Sequence, residues 1–199
     1  MCALFFLFLI LHLLMNEDDC YNRPGVIMIK SERLALVEFD VKYANDLCDV
    51  WSDFEVIKYT YMPLMKSVAE CSAMIERQIS RTDKVFTDRF VILLNNKAIG
   101  IAGCAVMDKE NDTFGLYYQL GQQYWGHGYA SECANAIVKY VFHHYPGATI
   151  KADAVSINTA SLSVLRKAGF KQTDVSKNGF TNNGFKLDLA NFEISNPGK

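Results

Sequence analysis

The sequence predicts an α+β domain in which helices cover both faces of a mixed, mostly antiparallel central sheet of about seven strands. Strand-like and helix-like segments follow one another as strand, two helices, three strands, helix, strand, helix and two strands. The chain has 199 residues, of which 50% are hydrophobic, enough to bury one sizeable core. No repeat or low-complexity linker divides it, so we predict a single domain over residues 28–195.

The first part of this domain supplies one strand and two capped helices. Residues 27–39 alternate enough to form the first strand, and Asp40 is placed to cap a helix that ends near residue 51. Ser67 and Glu70 form a capping box, which predicts a second helix that ends near residue 80. Both helices precede the centre of the sheet.

Three strands then form an antiparallel meander. Residues 90–94 and 98–107 are strand-like, and residues 95–97 (NNK) join them through a short connection of the kind that asparagine favours in hairpins. Residues 114–120 are rich in aromatic side chains and are short enough to form the next strand.

Two helices and one strand follow the meander. Residues 129–143 have the apolar spacing of a helix, whose core face consists of Ala130, Ala134, Ile137 and Val141. Residues 148–155 form the next strand and residues 158–168 the next helix. Gly169 is placed to end that helix, with Phe170 folding back beneath it.

A second hairpin is predicted at the end of the domain. Two strands, over about 171–180 and 185–194, flank residues 182–184 (NNG), which are a strong signal for chain reversal. This hairpin supplies the last two strands of the predicted sheet.

Two glycines stand where the strand-like run 114–120 meets the helical pattern, within residues 123–128 (QYWGHG). Gly126 and Gly128 carry no side chain, so the first backbone N–H groups of the helix are open to a ligand. Unpaired N–H groups and the helix dipole favour an anion at this position. The junction therefore predicts a phosphate-binding turn, although a tight turn required by backbone angles alone would use the same glycines.

Two common phosphate loops fit this turn poorly. A nucleoside-triphosphate loop needs a lysine and a hydroxyl after its second glycine, but His127 and Gly128 follow Gly126. A dinucleotide fingerprint needs a third glycine where Ser131 stands, and it follows a first strand, whereas this turn lies past mid-chain.

Three segments of the chain match a further pattern in order. Residues 123–128 read as Q-x-x-G-x-G, and residues 158–170 read as N-x-x-S-x-x-x-L-x-K-x-G-F. Residues 31–36 (SERLAL), with 51–53 (WSD) and 55–59 (EVIKY), stand at the start of the domain. From about residue 28 to residue 194 the chain thus resembles the GNAT N-acetyltransferases, in particular their RimJ/RimL-like branch, and this resemblance implies the GNAT fold.

The resemblance also implies acetyl-CoA as cosubstrate and no metal. In this family the strand before the turn is bulged and splays from its neighbour, so that free amides pair with the pantetheine arm. Leu120 is then the candidate amide donor to the thioester carbonyl, and the Ser161 hydroxyl is the candidate partner of the leaving sulfur. The residues implied to contact the coenzyme are Gln119, Leu120, Gln123, Gly126, His127, Gly128, Tyr129, Ala130, Asn158 and Ser161.

Several of these residues have plainer interpretations. Leu120 would also fit an ordinary strand end, and Asn158 is well placed as the N-cap of its helix, with Ser161 at the third helical position. Trp125 would be suited to a buried position at the edge of the core as well as to a contact with the ligand. His127 is expected to stay near the phosphates and not to act in catalysis.

The predicted reaction is direct transfer of the acetyl group to a primary amine, which attacks the thioester in its neutral form. An α-amino group with a pKa near 7.7–8.0 is roughly a tenth neutral at pH 7, whereas a lysine is neutral in only about four parts in ten thousand. A protein N-terminal α-amine therefore needs little help from a base. Tyr117, Tyr118 and Glu55 are compatible with that role, but their spacing selects none of them.

Two other functions stay open at this point. One is acetylation of a small molecule, such as an antibiotic, a polyamine or an amino acid, in an acceptor groove lined by residues 59–63 (YTYMP). The other is non-catalytic binding of an acyl-CoA by a sensor protein. Turnover of acetyl-CoA with a panel of amines distinguishes the three.

Composition excludes several classes of partner. The net charge of −2, with both signs interspersed, lacks the basic stripe that nucleic-acid binding requires. The six cysteines form no C-x-x-C pair and no cluster with histidine, so no zinc site or redox motif is indicated. We expect reduced thiols in a cytoplasmic protein, present as a monomer or a homodimer.

Residues 1–27 are expected to lie outside the fold. Residues 2–15 are almost wholly apolar, yet as a helix they would span about 21 Å against a hydrocarbon core of about 30 Å. No Lys or Arg precedes them, and residues 16–20 (NEDDC) offer no small-residue cleavage site. We therefore expect an extension rather than a signal or membrane anchor, with Met15 or Met28 as the start of the functional product.

Overall fold

The computed structural model describes residues 27–80, 88–182 and 184–196. Within these ranges, eight strands form one sheet and five α-helices pack on it. The strands are β1 Ile27–Lys30, β2 Leu34–Val37, β3 Asp88–Leu94, β4 Lys97–Asp108, β5 Thr113–Leu120, β6 Thr149–Val155, β7 Lys171–Asn182 and β8 Phe185–Ser195. The helices are α1 Ala44–Trp51, α2 Phe54–Ile57, α3 Val68–Ser80, α4 Tyr129–His144 and α5 Thr159–Lys167.

The sheet is antiparallel except at its centre. The strand order is β1-β2-β3-β4-β5-β6-β8-β7, and β5 and β6 are the parallel pair. Their pairing covers Thr113 to Gly115 in β5 and ends at Gly115 opposite Lys151, although β5 continues to Leu120. The two strands therefore separate toward their carboxyl ends, and this gap is the splay that the family resemblance implied.

The family resemblance implied a bulge in β5 next to the glycine turn, but the irregular pairing of β4 with β5 lies at the opposite end of β5. The pairing of β4 with β5 is regular from Phe114 to Leu120, and its register shift falls between Val106 and Asp108. At that end the Asp108 carboxylate accepts hydrogen bonds from the N–H groups of Glu110 and Asn111, because β4 enters a tight turn there. The gap beside Leu120 thus arises from separation of β5 and β6 and not from a bulge in β5.

Helices cover both faces of the sheet, as predicted. The two faces of a strand alternate, so neighbouring residues of β3 enter different cores. On one face Val91 packs with Leu47 and Trp51 of α1 and with residues of α3. On the other face Ile92 packs with Ile137 of α4 and with residues of α5. The mixed sheet and its two helical layers confirm the predicted fold class.

The predicted first strand, 27–39, is a hairpin of two strands, which raises the strand count from about seven to eight. Ser31 turns the chain, because its N–H donates to the Leu34 carbonyl over 2.9 Å. Glu132 of α4 holds this turn by accepting hydrogen bonds from Ser31 Oγ and the Arg33 N–H, both at 2.7 Å. Local alternation alone does not reveal a turn that a distant helix stabilises.

The predicted turns and caps are mostly present. Asn95 and Asn96 both have positive φ angles and form the two-residue turn between β3 and β4. The Ser67 hydroxyl accepts from the Glu70 N–H over 3.3 Å, as a capping box requires. The Glu70 carboxylate, however, accepts from Lys66 N rather than from Ser67 N. The short helix α2 was not predicted from the sequence.

Four cysteines lie in the described part of the chain, and all are buried thiols outside any disulfide: Cys48, Cys71, Cys104 and Cys133. Burial, followed by the neighbouring Cys48, raises the pKa of Cys71 to about 12. Both facts agree with reduced thiols that pack as small apolar residues. Among the described residues no helix is long and apolar enough to cross a membrane. The apolar segment 2–15 lies outside the described residues.

Candidate active site

A cleft of about 1440 Å³ follows the separated ends of β5 and β6. The glycine turn before α4 and the start of α5 line it from one side, and residues 59–63 with the β7–β8 hairpin line it from the other. Its volume exceeds the range of about 300–1,000 Å³ that is typical of a pocket for one small ligand. The cleft therefore has room for more than one small ligand.

The glycine turn presents a row of unpaired backbone N–H groups. Gly126 and Gly128 have φ angles of 77° and 82°, a left-handed conformation that side chains rarely adopt. A side chain at Gly126 would meet nothing within 4 Å, so the space over the turn is open. Within the described chain, the N–H groups of residues 126–131 donate to no protein acceptor. The start of α4 therefore has the geometry of an anion site.

Arg33, in the turn between β1 and β2, reaches this row from a distant part of the sequence. Its Nη1 donates to the His127 carbonyl over 3.0 Å, and its Nε pairs with Glu132 Oε2 at 2.7 Å. The guanidinium lies 4.5 Å from the centre of the Tyr129 ring, and Nη2 would be 3.5 Å from a Cβ atom at Gly128. Sequence reasoning noted Arg33 only as part of a motif and gave it no role.

The carboxylate of Glu132 is ionised in this arrangement. Burial opposes its ionisation, but hydrogen bonds from the Arg33 main chain, from Ser31 and from the Arg33 side chain together lower its pKa. The ion pair with Arg33 therefore persists at neutral pH, and it ties the β1–β2 turn to the glycine turn.

The end of β5 turns one peptide N–H toward the gap. Gly121 N donates to the Ile99 carbonyl of β4 over 2.9 Å, which fixes the hydrogen-bonded pairs at odd-numbered residues of β5. Leu120 therefore directs its N–H and C=O away from β4. Its C=O accepts from Trp125 Nε1 over 2.8 Å, and its N–H faces the gap. Leu120 thus has the orientation expected of a donor to a ligand.

Gln119 behaves differently from Leu120. Its main chain pairs with Ile101 of β4, so its N–H points away from the gap. A free main-chain amide at Gln119, as the resemblance implied for this strand, is therefore not available to a ligand. The side chain of Gln119 nevertheless lines the cleft, and it is buried against Trp51.

The start of α5 combines a cap with a hydroxyl pair. Asn158 Oδ1 accepts from Ser161 N over 3.2 Å, so the N-cap interpretation of Asn158 is confirmed. Ser161 Oγ lies 2.9 Å from the Tyr118 hydroxyl of β5. Burial raises the pKa of Tyr118 to about 12, with the Ser161 hydrogen bond acting in the opposite direction. Tyr118 is therefore a protonated phenol at neutral pH and is unsuited to be a base.

Most of the predicted coenzyme residues line the cleft, whereas Gln123 and His127 do not. Those that do are Gln119, Leu120, Gly126, Gly128, Tyr129, Ala130, Asn158 and Ser161. His127 is exposed, with Nδ1 2.7 Å from the Trp125 carbonyl, and stacks on Tyr129. Trp125 is 44% exposed, which excludes its interpretation as a wall of the core.

The opposite side of the cleft is built from aromatic side chains. Residues 59–63 line it, as predicted, and two of their rings contact the β7–β8 hairpin. Tyr59 lies 5.7 Å from Phe185 and Tyr61 lies 5.2 Å from Phe180, measured between ring centres. Asn182 Nδ2 donates to the Thr60 carbonyl over 2.8 Å. The hairpin therefore fixes this loop.

Two carboxylates in the cleft differ in their surroundings. Glu55, which the sequence offered as a participant, forms an ion pair with Lys58 at 2.6 Å. Asp153 of β6 lines the cleft, and desolvation there raises the pKa of its carboxyl. No spacing in the sequence indicated Asp153. Within the described ranges, no three His, Cys, Asp or Glu side chains are arranged to hold a metal ion.

Comparison with known proteins identifies the protein family to which the chain belongs. The family model described as an acetyltransferase (GNAT) domain matches residues 33–171, more than half of the chain. The chain therefore belongs to the GNAT acetyltransferase family, and its class of enzyme is N-acetyltransferase. One curated relative, the uncharacterized N-acetyltransferase p20 of Bacillus licheniformis, is 28% identical over 166 residues, which are 82% of this chain and 93% of the relative.

Two solved structures share the fold. RimL, a ribosomal L7/L12 alpha-N-protein acetyltransferase solved with coenzyme A, superposes with a TM-score of 0.76 at 17% identity, covering 85% of this chain and 97% of RimL. The microcin C7 self immunity acetyltransferase MccE, solved with acetyl-CoA and AMP, gives a TM-score of 0.76 at 18% identity, covering 89% of this chain and 99% of MccE. At these identities the likeness shows the fold alone.

Proposed function

We propose that the protein transfers the acetyl group of acetyl-CoA to a primary amine bound in the same cleft. The row of unpaired N–H groups over residues 126–131, next to the gap between β5 and β6, carries this proposal. A diphosphate suits such a row at a helix start, and an extended pantetheine arm suits the free edge of β5. Coenzyme A and acetyl-CoA in the RimL and MccE structures support this choice of donor.

The proposed roles follow from the geometry of the cleft. The pyrophosphate binds the amides of the turn at Gly126 and Gly128 and those of Tyr129 and Ala130. The Leu120 N–H donates to the thioester carbonyl oxygen as negative charge develops there. Loss of one such donor in another enzyme costs about 2.7–4 kcal/mol of barrier, so this single amide is an important contribution.

Proton transfer accompanies the exchange of bonds at the carbonyl carbon. A bond forms from the amine nitrogen as the carbon–sulfur bond breaks, and the nitrogen loses a proton while the sulfur gains one. Ser161 Oγ, paired with Tyr118 at 2.9 Å, is placed to donate a hydrogen bond to the leaving sulfur. Because Tyr118 keeps its proton, the pair acts as a donor rather than as a base.

The acceptor proposed first is a protein N-terminal α-amine. A useful fraction of this amine is neutral at pH 7, and RimL, an alpha-N-protein acetyltransferase, has the same fold. A small-molecule acceptor is the second candidate, because aromatic rings line the acceptor side and MccE is a microcin immunity enzyme. We place the activity in a domain over residues 28–195. Four buried thiols support a reducing, cytoplasmic location. We propose a monomer or a homodimer.

The test measures thiol release from acetyl-CoA with a panel of amines. The panel contains peptides with free N-termini, the same peptides with blocked N-termini and a free lysine, amino acids, and polyamines. We expect the free N-terminal peptides to react fastest. Turnover confined to small amines would favour the second candidate, and tight binding of acetyl-CoA without turnover of any amine would favour a sensor.

A further inference from the structure

Gln119 is the one polar side chain among the buried residues of the described chain, with 7% of its surface exposed. It stands at the end of β5, beside the gap, and both it and Trp51 line the cleft. The Trp51 indole, itself 1% exposed, donates from Nε1 to Gln119 Oε1 over 3.0 Å. A polar side chain in this position requires an explanation, because burial of polar groups is unfavourable unless they are paired.

The indole fixes which way the amide faces. An indole N–H only donates, so the Gln119 atom that it contacts must be the oxygen. The other atom, Nε2, carries two N–H donors, is buried and has no hydrogen-bond partner. An unpaired buried donor costs about 1–3 kcal/mol, so the protein alone leaves a favourable interaction unmade at this point.

The sheet separates this donor from the proposed coenzyme residues. Side chains alternate along β5, so Tyr118 and Leu120 point to the α4/α5 face, where Tyr118 meets Ser161. Gln119 points to the α1/α3 face together with Tyr117. Residues 59–63 line the cleft near this face, with α1 and α2 preceding them in the chain. The unpaired N–H groups therefore lie on the same face of the sheet as the proposed acceptor side.

Resting on the acetyl transfer proposed above, we propose that Gln119 Nε2 donates a hydrogen bond to a carbonyl oxygen of the acceptor. The favoured class is then α-amino carbonyl compounds, which include peptide N-termini and amino-acid amides. In these compounds the carbonyl carbon is bonded to the carbon that bears the amine. The amine can therefore reach the thioester while the carbonyl oxygen accepts a hydrogen bond from Gln119 Nε2. A polyamine offers only nitrogen donors when protonated and leaves Nε2 unpaired.

A matched pair of acceptors tests this inference on the unmodified protein. Alaninamide and 1,2-diaminopropane differ in that a methylene replaces the carbonyl group. We expect kcat/KM, expressed per neutral amine, to favour alaninamide by at least about tenfold. A ratio near one, or a preference for the diamine, overturns the inference. Absence of acetylation of these two amines and of every amine in the panel above would instead reject the proposed function itself.

Variants then connect the preference to Gln119. Gln119→Met keeps the length of the side chain and the backbone amides but removes both donors, and we expect the ratio to fall to within about threefold of one. Gln172→Met, on an exposed part of β7 outside the cleft, is the matched control and should keep the wild-type ratio. A thermal unfolding curve for each variant checks that it folds.

The carbonyl groups of the coenzyme are the other oxygens that could accept a hydrogen bond from Gln119 Nε2. Calorimetry distinguishes the coenzyme from the acceptor as the partner. We expect the Kd of coenzyme A to change by less than about threefold in Gln119→Met. A Kd that rises more than about tenfold, with an unchanged ratio between the two acceptors, would assign the donor to the coenzyme and overturn the inference. An unchanged Kd and an unchanged ratio would assign the Gln119 donor to an internal water, which also overturns the inference.

Discussion

The two sides of the cleft are built in different ways. The proposed coenzyme side consists of main-chain N–H groups over residues 126–131, which two glycines and the start of α4 place within a few residues of one another. The proposed acceptor side, residues 59–63 with the β7–β8 hairpin, consists of side chains that distant segments bring together. Thr60 and Asn182, for example, are 122 positions apart and are joined by one hydrogen bond.

This difference explains which part of the site the sequence reveals. A site made of backbone amides needs bare glycines and a helix start, and both are visible as a short motif. A site made of side chains depends on which rings and amides meet across the sheet. We therefore expect substitutions on the coenzyme side to have large effects on one ligand, and substitutions on the acceptor side to have smaller effects on the other.

The largest expected effect is that of Gly128→Asp. A carboxylate about 4 Å from the pyrophosphate repels it by about 4 kcal/mol at an effective dielectric constant of 20, so the Kd of acetyl-CoA should rise at least about a hundredfold. Isothermal titration calorimetry measures this change. Gly128→Asn is the matched control, because it has the same shape and tolerates the left-handed φ but carries no charge. Equal affinities of both variants and wild type would refute the position of the pyrophosphate.

Ser161→Ala is expected to act on rate rather than on affinity. Removal of the hydroxyl takes a hydrogen bond from the leaving sulfur, so kcat should fall about tenfold while the Kd of acetyl-CoA changes less than about twofold. The backbone bond from Ser161 N to Asn158 does not depend on the hydroxyl, so the cap is retained. An unchanged kcat would restrict Ser161 to a structural role at the start of α5.

Arg33→Ala tests whether a distant side chain supports the coenzyme side. The substitution removes the tether to the His127 carbonyl and a positive charge beside the turn, so the KM for acetyl-CoA should rise about fivefold. Arg33→Lys should recover part of this loss, because it restores the charge without the planar fork. The acceptor KM serves as the internal reference and should change less. Equal changes in both KM values would indicate a general loss of stability.

The smallest effect is expected on the acceptor side. Asn182→Ala removes the hydrogen bond to Thr60 and loosens the loop over residues 59–63, so the acceptor KM should rise about threefold. The Kd of acetyl-CoA should stay within experimental error. A weaker binding of acetyl-CoA in this variant would contradict the separation of the cleft into two sides.

The sequence alone predicted most of the order of elements, the two-residue turn at Asn95 and Asn96, and the glycine turn at Gly126 and Gly128 that precedes a helix. Each of these rests on residues that are neighbours in the chain, where backbone angles and hydrogen bonds act locally. The resemblance to the GNAT family rested on the same short motifs, and the family match over residues 33–171 confirms it.

Other features of the protein depend on contacts between residues that are distant in the sequence. Glu132 splits the predicted first strand into β1 and β2 by holding the turn at Ser31, 101 positions away. Trp51 orients the Gln119 amide across 68 positions and leaves Nε2 unpaired. Such contacts form only when the sheet brings the segments together. No local pattern of residue types specifies them, which is why the polar geometry of the acceptor side became visible in the folded chain alone.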